Sequence, residues 1–227
     1  MSKADSPESW RKTVRLKARM AICRIAPEDA PEHLPELATN LWRTADFLAD
    51  STAQADRIAE LLRSRLHSEE PWQALQAADV LVRLGRCRAD CERALERWMT
   101  AAGSRENESE QRSYPRAWAA YVRWRLTGDS AQALPLLMAA LRSQDDMPVQ
   151  AAPDEHGKPI RHSSSDFLIS MGLAARPAIP ELRQLLWHRY RTVRHDAGRV
   201  LRAIAPEELP SVNEGGALSR DRSAPSH

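Results

Sequence analysis

Two stretches at opposite ends of this chain repeat each other, and this repetition constrains the fold more than any other feature. Residues 13–28 read TVRLKARMAICRIAPE and residues 192–207 read TVRHDAGRVLRAIAPE, with eight identities in sixteen positions at an offset of 179. A second pair, LPELATNLW at 34–42 and IPELRQLLW at 179–187, shares Pro, Glu, Leu, Leu and Trp. Such self-similarity predicts an array of stacked units that bury one another's apolar faces.

The repeated unit has the pattern of paired helices. Alanine and leucine supply 35 and 25 residues, against 15 for Val and Ile together, and this balance favours helices over an extended sheet. One stripe of the last copy is apolar at helical spacing: Val193, Ala197, Val200, Leu201 and Ile204. Glycine follows the apolar residues of three weaker copies, at Gly85, Gly128 and Gly172, where it would cap a helix C-terminus. We predict helices at 8–26, 31–49, 52–66, 71–85, 88–103, 113–127, 130–143, 163–173, 176–188 and 191–205.

The last copy also matches a known repeat pattern at Ile179, Pro180, Leu182, Leu185, Leu186, Val193, Arg194, Ala197, Leu201 and Ile204. In this it resembles the HEAT-like repeats of bacterial proteins, the class named after bilin lyases, although Ala205 stands where the pattern has glycine. The resemblance covers roughly residues 10–205 and implies an all-α, HEAT-like α-solenoid of about ten antiparallel helices. We assign residues 1–206 to this solenoid and predict that the Ser/Gly/Pro-rich tail, 207–227, is disordered.

The first helix lacks a preceding partner. Either it closes the array as a polar capping helix, which is the simpler expectation, or the chain is a remnant of a longer repeat protein. Two segments interrupt the pattern, a polar loop at 104–113 and a longer insertion at 144–162 that holds three prolines. His156 and His162 lie in that insertion beside several acids, but their spacing matches no strong metal-binding pattern.

The sequence contains no constellation typical of an enzyme. We find no glycine-rich phosphate loop, nucleophile elbow or Cys/His dyad, and the three cysteines have no further metal ligands at suitable spacing. We therefore predict a non-enzymatic protein without cofactor or metal. The polar N-terminal residues and the absence of a long apolar run favour a cytoplasmic protein that does not engage a membrane.

Aromatic and arginine residues on two helices are the candidates for an interaction surface, because Trp, Tyr and Arg dominate binding hot spots. Trp118 and Trp124 lie six residues apart, about 600° along a helix, so at most one of them is expected in the core. Trp42 and Trp187 occupy equivalent repeat positions and are expected to pack. The candidate surface residues are Trp118, Tyr121, Arg123, Trp124, His195, Arg199 and Arg202.

Three functions remain open on the sequence. The leading one is a scaffold or adaptor that binds a protein partner on the concave face built from the second helices. The alternative is a DNA-binding HEAT protein resembling the alkylation-repair DNA glycosylases, suggested by the basic segments 11–24 and 183–202. The acidic segment 28–60 and the net charge of only +2 weigh against nucleic acid. The third, chaperoning of a bilin chromophore, depends on the resemblance alone.

Overall fold

The computed structural model describes residues 7–100, 113–143 and 163–209, and every regular element within these ranges is helical, which confirms the all-α prediction. The predicted loop at 104–113 lies outside the described residues except for Ser113, which begins a helix. The insertion at 144–162 and residues 210–227 of the predicted tail also lie outside them. The α-helices are Pro7–Ile25 (α1), Ala30–Thr39 (α2), Leu41–Asp50 (α3), Ala55–Arg63 (α4), Pro71–Arg83 (α5), Arg88–Thr100 (α6), Ser113–Thr127 (α7), Ser130–Arg142 (α8), Ser164–Met171 (α9), Ile179–Leu185 (α10) and Arg191–Ile204 (α11).

Short 3₁₀ segments account for most differences from the predicted helix ends. They are Pro27–Asp29, Thr52–Gln54, Ser64–His67, Gly172–Ala178 and Pro206–Glu208. The helices predicted at 52–66 and 176–188 are therefore shorter as α-helices, since their ends wind more tightly. Glu207 and Glu208, which the sequence assigned to the disordered tail, instead belong to a 3₁₀ segment and form ion pairs with Arg176 and Arg183.

The helices alternate between two sides of the molecule. On one side α3 contacts α5, α5 contacts α7, α7 contacts α9 and α9 contacts α11; we call this the odd layer. On the other side α2 contacts α4, α6 contacts Ser64–His67, and α8 contacts Gly172–Ala178. Most helices also pack against their chain neighbours, as in α5·α6, α6·α7 and α7·α8. One apolar core consequently runs between the two sides over most of the described chain.

The predicted apolar stripes form this core. The residues of the α11 stripe are all buried, with Ala197, Val200 and Leu201 fully inaccessible to solvent. The corresponding residues of α5 behave alike: Ala77, Val80 and Leu81 are inaccessible and Leu84 is nearly so. Small alanines at these positions let neighbouring helices approach closely while the longer side chains fill the space between them.

The predicted helix at 31–49 is two helices, because the chain turns at Asn40. The backbone of Asn40 leaves helical geometry (φ −118°, ψ 42°), and its side-chain amide donates to the Glu36 carbonyl at 2.8 Å. The buried Thr44 hydroxyl donates to the Leu37 carbonyl at 2.7 Å. These side-chain bonds supply donors to the Glu36 and Leu37 carbonyls at the point where the first helix ends. The turn carries α3 into the odd layer.

Glycine ends α5 as the sequence predicts. Gly85 has φ +66°, a conformation that residues with a Cβ rarely adopt. Its N–H donates to the Val82 carbonyl, and the N–H of Arg86 reaches back to the Leu81 carbonyl at 2.9 Å. This pair of bonds is a Schellman cap, which satisfies carbonyls at the helix end and directs the chain into α6.

α1 departs from the expected polar cap. Leu16 is buried beneath it, but four larger apolar side chains on the opposite face are exposed: Trp10, Val14, Ile22 and Ile25. The prediction that α1 closes the array with a polar outer surface is therefore wrong. Its outer face is apolar and the part of the chain that the structure describes does not cover it.

Candidate interaction groove

A groove of about 660 Å³ runs along the odd layer and draws its lining from α3, α5, α7 and α9. Because each of these helices contacts the next, side chains from four separate parts of the sequence meet on one surface. We call this surface the odd-layer groove. The residues that decide its chemistry are Trp42, Arg43, Asp46, Trp72, Gln73, Gln76, Asp79, Arg83, Tyr114, Trp118, Tyr121, Arg125, Asp166, Phe167 and Ser170.

The floor of the groove is an aromatic cluster. The ring of Trp72 lies 5.5 Å from that of Tyr114 and 6.0 Å from that of Trp118, between ring centroids. Phe167 of α9 stacks on Tyr121 at 4.4 Å with the two planes nearly parallel. Such contacts add to the apolar area that the rings bury and hold them in fixed orientations. The floor is therefore both apolar and rigid.

Ion pairs between neighbouring helices line the walls. Arg83 of α5 contacts Asp46 at 2.6 Å and Asp50 at 2.9 Å, both on α3. Arg125 of α7 contacts Asp79 of α5 at 2.9 Å. The lining as a whole has three arginines and three aspartates, so these pairs leave the groove without a strong net charge.

Arg43 differs from the other lining arginines. Its guanidinium stacks 3.9 Å above the Trp42 ring centroid and donates a hydrogen bond to the Thr13 hydroxyl of α1. No carboxylate pairs with it among the residues that the structure describes. Partial burial lowers the pKa of Arg43, in keeping with a cation held away from water without a counter-charge. This end of the groove therefore offers a positive charge on an aromatic surface.

Asp166 lies at the opposite end, where α9 begins. The Asp166 carboxylate accepts the Ser163 N–H at 3.0 Å, while the Ser163 side chain caps the helix in return, a reciprocal capping box. Arg199 of α11 also donates to Asp166. Burial alone would raise the pKa of Asp166, but the bonds from Ser163 and Arg199 outweigh it and hold the pKa below its ordinary value.

Two of the four predicted residues on α7 line the groove. Trp118, only 7% exposed, belongs to the aromatic floor, and Tyr121 accepts a hydrogen bond from Ser170 at 2.9 Å. Trp124 is half-buried next to Tyr121 but lies outside the lining. Arg123 points to the other side, where it donates to Gln132 of α8. The candidate surface on α7 is thus narrower than the sequence suggested.

The predicted residues on α11 do not reach the groove. His195 and Arg202 are exposed, and His195 lies 3.1 Å from the carboxylate of its neighbour Asp196. Arg199, predicted on the exposed side of the helix together with Arg202, is engaged with Asp166 and half-buried. The Arg199 side chain is still 38% exposed, but the start of α9 places a carboxylate beside it, a contact that the sequence of α11 cannot reveal.

The α3 and α5 contributions to the groove do not emerge from the sequence patterns. Trp42 and Trp187, expected to pack alike, diverge: Trp42 is half-buried in the groove, whereas Trp187 is 69% exposed. The difference follows from the break at Asn40: a new helix begins at Leu41 and includes Trp42, while α10 has already ended before Trp187. The adjacent Trp and Arg of α3 are the signal that could have identified this part of the groove.

The charged segments are arranged differently from a phosphate-binding cleft. The basic segments belong to α1 and to α10 and α11, at the two ends of the chain of helix contacts. Within the acidic segment, Asp46, Asp50 and Asp56 pair with Arg83 and Arg86 of the following repeat. These carboxylates thus serve to join helices.

The described residues contain no group of three or more His, Cys, Asp or Glu side chains that could hold a metal ion. Burial raises the pKa of the Cys91 thiol to about 12, which disfavours the nucleophilic thiolate. No described helix is both long and apolar enough to cross a bilayer. Comparisons with protein-family models, with characterised proteins and with solved structures find no match for this chain.

Proposed function

We propose that this chain is a non-enzymatic scaffold or adaptor with a HEAT-like solenoid architecture, whose odd-layer groove binds a segment of a protein partner. The alternation of helices between two sides supports the solenoid, because consecutive odd helices contact one another along the chain. Four of the five predicted second helices of the repeats, α5, α7, α9 and α11, lie in the odd layer. We therefore take the odd layer as the counterpart of the concave face inferred from the sequence.

The observation that carries the proposal is the composition of the groove. Protein-binding hot spots combine large aromatic side chains with arginine and exclude water around them. The odd-layer groove combines an aromatic floor with Arg43, an arginine without a carboxylate partner in the described part of the chain. The side-chain amides of Gln73 and Gln76 line it without hydrogen-bond partners among the described residues, so they can bond to a peptide backbone.

Selection from a displayed library of random peptides tests this proposal, because such a library samples many candidate partner segments at once. The wild-type chain should enrich peptides that share a pattern, with an acidic or C-terminal carboxylate to pair with Arg43. Trp42→Ala and Arg43→Ala should each lower the affinity for the enriched peptides by about tenfold or more, the loss typical of a hot-spot residue. Trp187→Ala and Arg202→Ala remove the same side-chain types from exposed positions outside the groove and should change nothing.

The outcome against the proposal is equally definite. A library that yields no shared pattern, or peptides equally sensitive to Trp42→Ala and Trp187→Ala, would remove the groove as the binding site. Circular dichroism of each variant shows whether a loss of binding reflects a loss of structure.

DNA binding is the second candidate, supported by the exposed cations of α1 and α11. It predicts that duplex affinity falls with salt along a log–log slope of about −0.9 for each phosphate contacted. The near balance of charge in the odd-layer groove favours the scaffold hypothesis. That hypothesis predicts only weak binding of DNA, which vanishes near physiological salt. Tight duplex binding at physiological salt, weakened by reversing Arg202 together with Arg191, would reverse this ranking.

A further inference from the structure

α1 presents a continuous apolar surface to solvent. Its members recur at helical spacing within about 120° of the helix circumference, the width of a core-facing stripe. Trp10 and Ile25 are 69% and 84% exposed, and Val14, Ala18 and Ile22, which share their face of the helix, are exposed as well. We call this surface the α1 stripe, formed by Trp10, Val14, Ala18, Ile22 and Ile25.

The internal repeat shows what such a stripe packs against. At the offset of 179, the four members Val14, Ala18, Ile22 and Ile25 correspond to four residues of α11 that are no more than 6% exposed. α11 lies against α8, α9, α10 and the segment Gly172–Ala178. The same sequence pattern is thus core in one copy and open surface in the other.

Among the neighbours of α11, α10 most resembles a segment that could bind as a separate peptide. It is a short helix whose leucines follow i, i+3 and i+4 spacing, at Leu182, Leu185 and Leu186. Leu182 and Leu185 are buried, and Leu186 is close enough to contact a methyl group placed on Gly198 of α11. An amphipathic helix with this leucine spacing therefore fits a stripe of the kind that α1 exposes.

Charge limits which helix can bind. Arg11 and Arg15 lie one turn apart along the edge of the α1 stripe, both exposed and without a carboxylate partner in the described ranges. α1 as a whole carries six Lys and Arg residues against one Glu, so packing it on the α1 of a second copy, in either direction, would set two basic helices side by side and is disfavoured. A helix with carboxylates on the facing edge would be attracted.

We propose that the α1 stripe is a docking surface for an amphipathic helix of a partner protein, with leucines at i, i+3 and i+4 and acidic residues facing Arg11 and Arg15. This surface is separate from the odd-layer groove. The chain would then hold two partners, or two segments of one partner, at different places on the same array.

Two peptides taken from this chain provide the probe. The first is residues 174–188, which carries the leucines of α10; the second is the same peptide with Arg176→Glu and Arg183→Glu. Fluorescence anisotropy with the full chain should show saturable binding of the acidic peptide and about tenfold weaker binding of the unaltered one. Higher salt should reduce this difference, because exposed charges are screened.

Variants of the full chain locate the binding. Val14→Asp and Ile25→Asp should each abolish binding of the acidic peptide, and both sites are exposed enough for the fold to tolerate them. Leu173→Asp, at a 76% exposed leucine far along the chain, is the matched control and should have no effect. Arg11→Glu combined with Arg15→Glu should reverse the preference, so that the unaltered, arginine-bearing peptide binds better.

Three results would overturn the proposal. They are the absence of saturable binding, a loss of binding in Leu173→Asp equal to that in Val14→Asp, and a wild-type dimer in sedimentation that Val14→Asp dissociates. The last would identify a second copy as the occupant. Trp42→Ala should leave binding of the acidic peptide unchanged. A failure of the docking proposal for the α1 stripe is therefore distinguishable from a failure of the peptide-binding proposal for the odd-layer groove.

Discussion

α1 and α11 start from closely similar sequences and occupy opposite environments. Val193 of α11 is 3% exposed, whereas Val14 at the equivalent position of α1 is 45% exposed. Ile204 and Ile25 differ still more, at 6% and 84%. α11 has helices of both sides of the array packed on it, while α1 has its main contacts with α2 and the Pro27–Asp29 turn.

This contrast shows that the repeated sequence determines which residues form an apolar stripe, but not whether other helices pack over that stripe and bury it. In α11 the stripe contributes to folding, because its apolar area is removed from water when the neighbouring helices stack. In α1 the same pattern contributes little to the stability of the described chain and remains available for association. Substitutions at matched positions should separate these two roles.

The largest effect is expected from Leu201→Ala in α11. Leu201 is inaccessible to solvent, so its truncation should lower the free energy of unfolding by about 2–5 kcal/mol. The equivalent Ile22→Ala in α1 should change it by less than about 0.5 kcal/mol, as for other surface substitutions. Chemical denaturation followed by circular dichroism measures both values. Equal losses would mean that the two stripes are covered alike.

A smaller effect is expected where α11 is tied to α9. Asp166→Ala removes the capping box and the partner of Arg199, and should cost about 1–2 kcal/mol of unfolding free energy. In α1, Met20 stands at the position equivalent to Arg199, and the ion pair of that helix is made instead by Arg19, which contacts Glu36 of α2 at 2.6 Å. Asp196→Ala is the control and should cost much less, because among the described residues this carboxylate pairs with its neighbour His195 alone.

The Asp166 contribution should depend on pH in a defined direction. The pKa of Asp166 in the folded chain is lower than its unfolded value of about 3.9. Its stabilisation is therefore present above the unfolded pKa and is lost as pH falls through the folded pKa. The difference in unfolding free energy between wild type and Asp166→Asn should stay constant near neutral pH and shrink below about pH 4. If the difference in unfolding free energy persists unchanged in acid, the contribution of Asp166 comes from the shape of its side chain and not from its charge.

The smallest effect is a gain of stability at Gly198. This glycine lies inside α11, and a Cβ there would meet only Leu186 at an ordinary contact distance of 3.7 Å. Gly198→Ala should therefore stabilise the chain by about 0.5–1 kcal/mol. Gly85→Ala provides the contrast and should destabilise by about 1 kcal/mol, because Gly85 has a positive φ. Melting temperatures should move in opposite directions for the two variants.

Much of the fold follows from local patterns that the sequence displays. The α11 stripe, the α5 stripe and the glycine caps depend on residues close in the chain, and these predictions are confirmed. The break at Asn40 was missed because it depends on Thr44 and Asn40 bonding to carbonyls of the preceding turn, a choice that a helical pattern does not reveal. The exposure of α1 was missed because the pattern there is the same as in α11.

The groove was predictable only in part. Trp118 and Tyr121 stood out as an aromatic and arginine-rich cluster on one helix, and both line the groove. Arg43 and Gln76 join them only through contacts between α3, α5 and α7, which lie far apart in sequence. Arg199 was assigned to the exposed surface because its partner Asp166 belongs to another repeat.

Native-state hydrogen exchange most directly tests whether the similar apolar stripes of α1 and α11 are buried to different extents. The amides of α11 should exchange only when the whole chain unfolds, while those of α1 should open through a smaller, separate transition and exchange faster. Adding the acidic peptide of residues 174–188 should slow exchange in α1 and leave α11 unchanged. If α1 exchanges as slowly as α11 without any partner, its stripe is already covered and the account is contradicted.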